Sequence, residues 1–330
     1  MTRIIDMHTH TFSKAAEELV HGLYDPATNP YRRDMSPESR ETDAGNKLRT
    51  AAMLNSVEQR LADMVRMRVD MQVIAPAPAQ QHYWAELDLL TALSVAQNDH
   101  IAAMVASAPK RFAGMGTLPL SAPDRAVDEA TRAIEELGLR GFQIDSRVDA
   151  RELSDAAFDP VWARVAKLGV PLFIHPLGFS DGARLGAFFM VNTVGQPLEE
   201  VIAINHLVFG GILDRHPDLK VIVAHGGGYF PSYLGRIEHA WKVRPEVHRL
   251  CADAPSTYMR RMWFDTCLFS ADEVQALAAQ AGADRVMLGS DYPFDMGDAD
   301  PVALIDTCKG LDAAQRDLVL GANAARIFGL

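Results

Sequence analysis

Four histidines and one aspartate stand at the ends of short apolar runs, and these are the side chains with chemistry to offer. His8 and His10 close the run RIIDMHTH, His175 closes PLFIH, His225 closes VIVAH and Asp291 closes VMLGSD. Residues two apart on an extended strand point to the same side, so His8 and His10 can meet one ion together. Three imidazoles and a carboxylate are borderline donors suited to Zn²⁺, with Mn²⁺ or Fe²⁺ as alternatives. His8, His10, His175 and Asp291 are thus the candidate metal ligands, with one position left open for water or substrate. A single ion is expected, because the fourth apolar run offers Gln143 and Asp145 but no lysine that might bridge a second. His225 leads a glycine run, Gly226-Gly227-Gly228, and is either a fourth nitrogen ligand or an acid/base beside the metal. An imidazole pKa near neutrality suits proton transfer and favours the second role. The glycines themselves need be no more than a tight turn, and they lack the lysine of a phosphate loop.

Groups this far apart in sequence meet only if the chain brings them repeatedly to one face. Eight β-branched or apolar runs are the candidate strands: residues 3–8, 71–75, 112–118, 140–145, 171–175, 219–225, 262–266 and 285–291. Amphipathic segments at helical spacing lie between them, and strands that alternate with helices are the sequence form of parallel β/α units. Eight units fit a (β/α)₈ barrel, in which the carboxyl ends of the strands gather on the face that carries the active site. A doubly wound open sheet satisfies the same pattern. Two stretches break the repeat, residues 11–46 and 176–197, and both follow strands that end in histidine. They are read as inserted loops covering the site of one domain spanning residues 1–330. The other histidines (His21, His82, His100, His206, His216, His239 and His248) fall in helical or loop segments and read as surface or packing residues. Phe294 and Trp84 are candidates for lining a substrate pocket.

Composition narrows the function classes. The 330 residues carry 32 Lys+Arg against 43 Asp+Glu, a formal charge of −11, and such a surface repels phosphate backbones and anionic lipid. No nucleic-acid or membrane partner is expected, and no apolar run approaches the roughly 18 residues of a membrane span. Cys251, Cys267 and Cys308 are too few and too clustered for a disulfide framework, which together with the polar amino terminus suits the cytoplasm. Cys267 reads as a buried structural thiol.

Taken together, the runs IDMHTH, RFAGMGTLPL, LGLRGFQI, FIHP, GGILDRHPDLKVIVAHGGGYFPSYLGRIEHAW, VMLGSDYPF and GNAARIFGL resemble the metal-dependent amidohydrolase superfamily, most closely its aminocarboxymuconate-semialdehyde decarboxylase branch. The resemblance implies a (β/α)₈ barrel with one zinc at His8, His10, His175 and Asp291, His225 as catalytic acid/base, and no organic cofactor. It implies a homodimer in which Arg236 reaches the neighbouring site, with Arg49 as the second arginine that holds a substrate carboxylate. Leu177 stands where the family's decarboxylases carry tryptophan after the His-Pro pair, so the pocket wall differs there. The activity implied is metal-dependent, non-oxidative decarboxylation of a carboxymuconate-semialdehyde or a related aromatic-degradation acid. A hydrolase or hydratase of a small carboxylated substrate is the runner-up.

Overall fold

The computed structural model describes residues 3–23, 30–177 and 182–330. Eight of its strands run parallel in two sheets. The first sheet holds β1 (Ile5–Thr11), β2 (Met71–Pro76) and β3 (Phe112–Gly114). The second holds β4 (Phe142–Ile144), β7 (Pro171–Ile174), β8 (Lys220–Val223), β9 (Trp263–Asp265) and β10 (Val286–Met287), in that spatial order. A small antiparallel hairpin, β5 (Arg147–Val148) with β6 (Arg151–Glu152), follows β4. Parallel bridges join the two sheets at both edges, Gly116 to Phe142 on one side and Thr9 to Tyr292 on the other.

Both faces of these strands are buried, as parallel β/α units require. Leu172 and Ile174 of β7 and Val221 and Val223 of β8 pack with Trp162, Ile204 and Phe230 of the surrounding helices. The alternate residues Phe173 and Ile222, with Met7, Met115 and Met287, fill the opposite face. This second cluster is the floor beneath the histidines: the Phe173 ring meets the His8 ring edge to face, with centroids 4.9 Å apart.

The observed strands are shorter than the sequence predicts, most of all β3, β4, β9 and β10. The chain leaves the ladder early so that functional groups can turn inward: His175 follows β7 directly, His225 lies two residues past β8 and Asp291 four past β10. His225 and Asp291 both adopt left-handed backbone, φ +49° and +59°. Such φ values are uncommon for residues other than glycine and mark positions where the surroundings dictate conformation.

The two predicted covering loops need correcting. Residues 11–46 are largely helical: Lys14–Val20, Pro30–Arg33 and the start of Pro37–Asn55, with residues 24–29 outside the described set. Ser36 caps the third helix by accepting from the Ser39 amide, and Pro37 fills its first turn, where a missing N–H costs nothing. Of this helix's residues, Thr50 and Leu54 are buried, so its sequence shows no clear apolar face. The stretch 176–197, of which 178–181 lie outside the described set, contains a 3₁₀ turn (Gly182–Leu185) and a π-helical turn (Val191–Gly195). Asn46 donates to Asp295 at 2.6 Å, which ties the first segment to the turn after Asp291. Gly186 packs so tightly on the Asp34 carbonyl that a Cβ would collide with it.

Candidate active site

His8 and His10 do not reach the site by simple alternation. Across from β2, Met7 and His8 stand opposite the single residue Val73, a β-bulge that re-aims the first ligand. Side chains repair the broken ladder: the Asp6 carboxylate accepts from the His8 amide at 3.2 Å, and the Thr9 hydroxyl donates to the Val73 carbonyl at 3.0 Å. Asp6 also accepts from the Ser290 amide (3.0 Å) and hydroxyl (2.5 Å), fixing β1 to the segment that carries Asp291. Burial pushes the Asp6 carboxyl up to about 6, against the pull of these donors.

The three imidazoles are held alike. His8 Nδ1 lies 2.6 Å from Asp265 Oδ2, His10 Nδ1 3.0 Å from the Pro76 carbonyl and His175 Nδ1 3.0 Å from the Pro176 carbonyl. Each Nδ1 faces an acceptor and so carries the proton, which leaves each Nε2 with a lone pair. Those lone pairs converge on Asp291 Oδ1, at 3.2 Å from His8, 3.0 Å from His10 and 3.8 Å from His175. His8 Nε2 and His10 Nε2 are 3.1 Å apart, and the buried His175 Nε2 has no hydrogen-bond partner. Lone pairs and an anion gathered in a dry site repel unless a cation stands among them. All four donor atoms lie within 4.8 Å of one another, and the set fits a divalent transition ion.

The ionisation pattern says the same. Burial lowers His10, and it takes His175 down to about 3, so both are neutral and ready to ligate. Burial also opposes charge on His8, but the Asp291 and Asp265 carboxylates override it and push His8 up to about 9. Burial likewise works against the Asp291 carboxylate, yet the His8 charge and the His10, His175 and His225 rings that face it hold it well below its usual range. Without a metal, His8 thus carries the positive charge that the cluster demands.

Asp265 orients His8 with one oxygen and accepts from the amides of Gly226 and Cys267 with the other, each at 3.1 Å. Carboxylates behind a metal-ligating histidine typically set metal affinity by 10–100-fold. Asp265→Asn is therefore expected to weaken metal binding by about 10–100-fold in chelator competition; an unchanged affinity would show that Asp265 only packs.

His225 differs from the other three. Its Nδ1 lies 2.5 Å from the buried Glu200 carboxylate and its Nε2 3.7 Å from Asp291 Oδ2. Its side chain is 15% exposed, against 3% or less for the metal-facing histidines. Burial disfavours its charge, but Glu200 and Asp291 outweigh that and raise it well above the ordinary imidazole value. Gly228 makes the pairing with Glu200 sterically possible: its φ is +57°, and a Cβ there would sit 2.8 Å from Glu200 Oε2 and collide with the Pro197 carbonyl.

The remaining predicted site residues divide. Phe294 is half-buried with its ring 5.2 Å from that of His10, a wall of the site. Leu177 is half-buried, and its amide donates to Asp145 at 3.1 Å. Trp84 is 45% exposed with its ring against His82. Arg49 and Arg236 are exposed on the helices Pro37–Asn55 and Phe230–Val243. Sequence reasoning missed Asp265, Glu200, Asp6 and the fully buried Arg60. Their one signal is an ionisable residue inside an apolar run, as in MWFDT or RIIDM.

A family model described as Amidohydrolase matches residues 5–330. The chain belongs to the amidohydrolase family. Within it, the chain is 38% identical over 277 residues to the 2-amino-3-carboxymuconate-6-semialdehyde decarboxylase of Dictyostelium discoideum, covering 82% of this chain and 76% of that one. It is 26% identical to a 2-keto-4-carboxy-3-hexenedioate hydratase of Sphingobium sp., covering 99% of this chain and 96% of the other. The crystal structure of 5-carboxyvanillate decarboxylase from Sphingomonas paucimobilis matches with a TM-score of 0.87 at 28% identity over all of both chains. The family expected from the motifs is therefore the family found, and the 38% identity supports its semialdehyde decarboxylase-like branch.

Proposed function

We propose that this amidohydrolase is a metal-dependent, non-oxidative decarboxylase of a carboxymuconate-semialdehyde or a related aromatic-degradation acid. The observation that carries the reading is the pairing of a convergent His8, His10, His175 and Asp291 donor set with a separate, more accessible His225 backed by Glu200. That division gives one group of residues to a metal and leaves one acid/base for substrate. A bound divalent cation supplies an electron sink for the charge left when CO₂ departs, so no organic cofactor is required. Zinc is the first choice for three imidazoles and a carboxylate, with manganese or iron as alternatives.

In this reading the substrate's carbon–carbon bond breaks, its electron pair stays on the carbon, and His225 Nε2 delivers the proton that replaces CO₂. Glu200 keeps the ring oriented through Nδ1. Phe294 and Trp84 provide flat apolar walls, and Leu177 leaves room that an indole would fill. Arg49 and an Arg236 from a second subunit receive the carboxylates, since a guanidinium fork binds them bidentately. Both arginines stand exposed and neither has an ion pair with a carboxylate among the described residues, which leaves them available for a dianionic ligand. The bridges at both sheet edges support a closed (β/α)₈ barrel in one domain, with residues 11–46 and 176–197 as its coverings. Three free, buried cysteines support a cytoplasmic location.

The test is product mass from metal-replete protein given such acids. Loss of CO₂ supports the proposal. Addition of water without CO₂ release would instead assign the hydratase chemistry of the Sphingobium relative, which the same residues can serve. Arg236→Ala in the same assay is expected to raise KM by about tenfold or more, the cost of a lost charge-assisted contact, with little change in the dimer; an unchanged KM removes Arg236 from the site.

A further inference from the structure

Asp291 presents its two oxygens to two different sets of donors. Oδ1 faces His8, His10 and His175, as described above. Oδ2 faces His225 Nε2 at 3.7 Å, and the Cys267 thiol completes a second group whose ligand atoms all lie within 4.8 Å of one another. His225, Cys267 and Asp291 come from just past the ends of the neighbouring strands β8, β9 and β10. All three are fixed in place. Glu200 holds His225 Nδ1, which aims Nε2 at the site in the way the other three imidazoles are aimed. Asp265 holds the Cys267 amide with the carboxylate whose other oxygen orients His8. Cys267 itself is 3% exposed.

We propose that His225, Cys267 and Asp291 form a second cation site, selective for a thiophilic divalent ion such as zinc or cadmium, whose occupation switches the enzyme off. A thiolate, an imidazole nitrogen and a carboxylate oxygen are three ligands of the kind that soft and borderline ions prefer, with a fourth position open. The carboxylate lets one residue serve both ions through separate oxygens. A dication next to another dication meets strong Coulomb repulsion, so the resident site fills first and the second is weaker. The ion in the second site takes the Nε2 lone pair that His225 needs to carry a proton. Excess metal therefore inhibits without displacing the resident metal. The proposal extends beyond the decarboxylase reading, because the site is defined by its ligands whatever the substrate.

The experiment adds Cd²⁺ to protein already holding one zinc per chain. The expected result is a thiolate-to-cadmium charge-transfer band in the ultraviolet that saturates at one cadmium per chain, with the zinc retained. Cys267→Ser abolishes the band, while Cys251→Ser, altering a buried thiol outside this group, leaves it intact. In the activity assay, Cys267→Ser raises the inhibitory zinc concentration by roughly tenfold or more, as loss of one ligand should, and leaves turnover without excess metal unchanged. Absence of the band in the unaltered protein overturns the site, as does a band that survives in both Cys267→Ser and Cys267→Ala. The spectroscopic readout needs no substrate, so its failure is separable from a failure of the decarboxylase reading.

Discussion

Replacing His225 with asparagine is expected to lower kcat by about 10²–10⁴-fold, the usual range for removing a general acid/base, while metal content stays at one ion per chain. Asparagine is the substitution of choice because position 225 has φ +49°, a left-handed conformation that asparagine tolerates and most other side chains resist. An activity loss after alanine substitution would mix chemistry with backbone strain. Metal analysis alongside kinetics decides between the two roles that the sequence leaves open for this residue. Retained metal with lost turnover marks an acid/base; loss of both would make His225 a ligand of the resident ion. The geometry favours the first outcome, since the resident donor set is complete without it and its Nε2 lies nearer to the other oxygen of Asp291.

Arg60→Leu is expected to destabilise the fold by about 3–5 kcal/mol, the range for removing one partner from a buried charge network. Arg60 is fully buried, donates to Gln72 at 3.1 Å and to the backbone carbonyl of His10, and lies over the Tyr292 ring at 4.8 Å. Tyr292 in turn donates to the buried Asp63 at 2.7 Å. Burial lowers Arg60 to about 10, against the support of Tyr292, Asp6 and Asp63, so it remains charged at neutral pH. Leucine would leave the Gln72 oxygen and the His10 carbonyl without their donor in a dry interior and, although Asp63 keeps its pair with Arg66, would remove a cation from beside Asp6 and Asp63, which is costlier than losing a surface pair. Urea denaturation reads the effect as a lower midpoint with an unchanged slope. Arg60→Lys should fall between, keeping the charge but losing the planar fork. A loss below about 1 kcal/mol for the leucine variant, the scale of an exposed pair, would mean that the network draws its stability from elsewhere.

What the sequence made legible follows from where each side chain sits. His8, His10, His175, His225 and Asp291 could be found because each closes an apolar run, and parallel strands deliver their carboxyl ends to one face. Asp265 and Glu200 could not. Each touches one of those histidines, but an acid within an apolar stretch reads equally as a break or a solvated helix face until its partner is seen. The bulge at Met7 and His8 was hidden for a different reason: alternation along one strand carries no record of where its neighbour slips by a residue. The helix Pro37–Asn55 escaped because periodicity detects a buried stripe, and this helix buries Thr50 and Leu54 with too little apolar content around them. Its cap, Ser36 followed by Pro37, was the signal that remained.

The ligand set also bears on when the protein can acquire its metal. His10 Nε2 and Asp291 Oδ1 lie 3.0 Å apart in space and 281 residues apart in sequence. A chain emerging from the ribosome amino terminus first presents His10 281 residues before the carboxylate it shares with His8. The half-made protein thus exposes a pair of histidines with neither Asp291 nor Asp265 to complete or orient them. Closing so long a loop costs conformational entropy that an ion at two ligands does not repay, whereas the completed strands bring the groups together by packing. The complete donor set thus exists only once the segment carrying Asp291 has packed against β1.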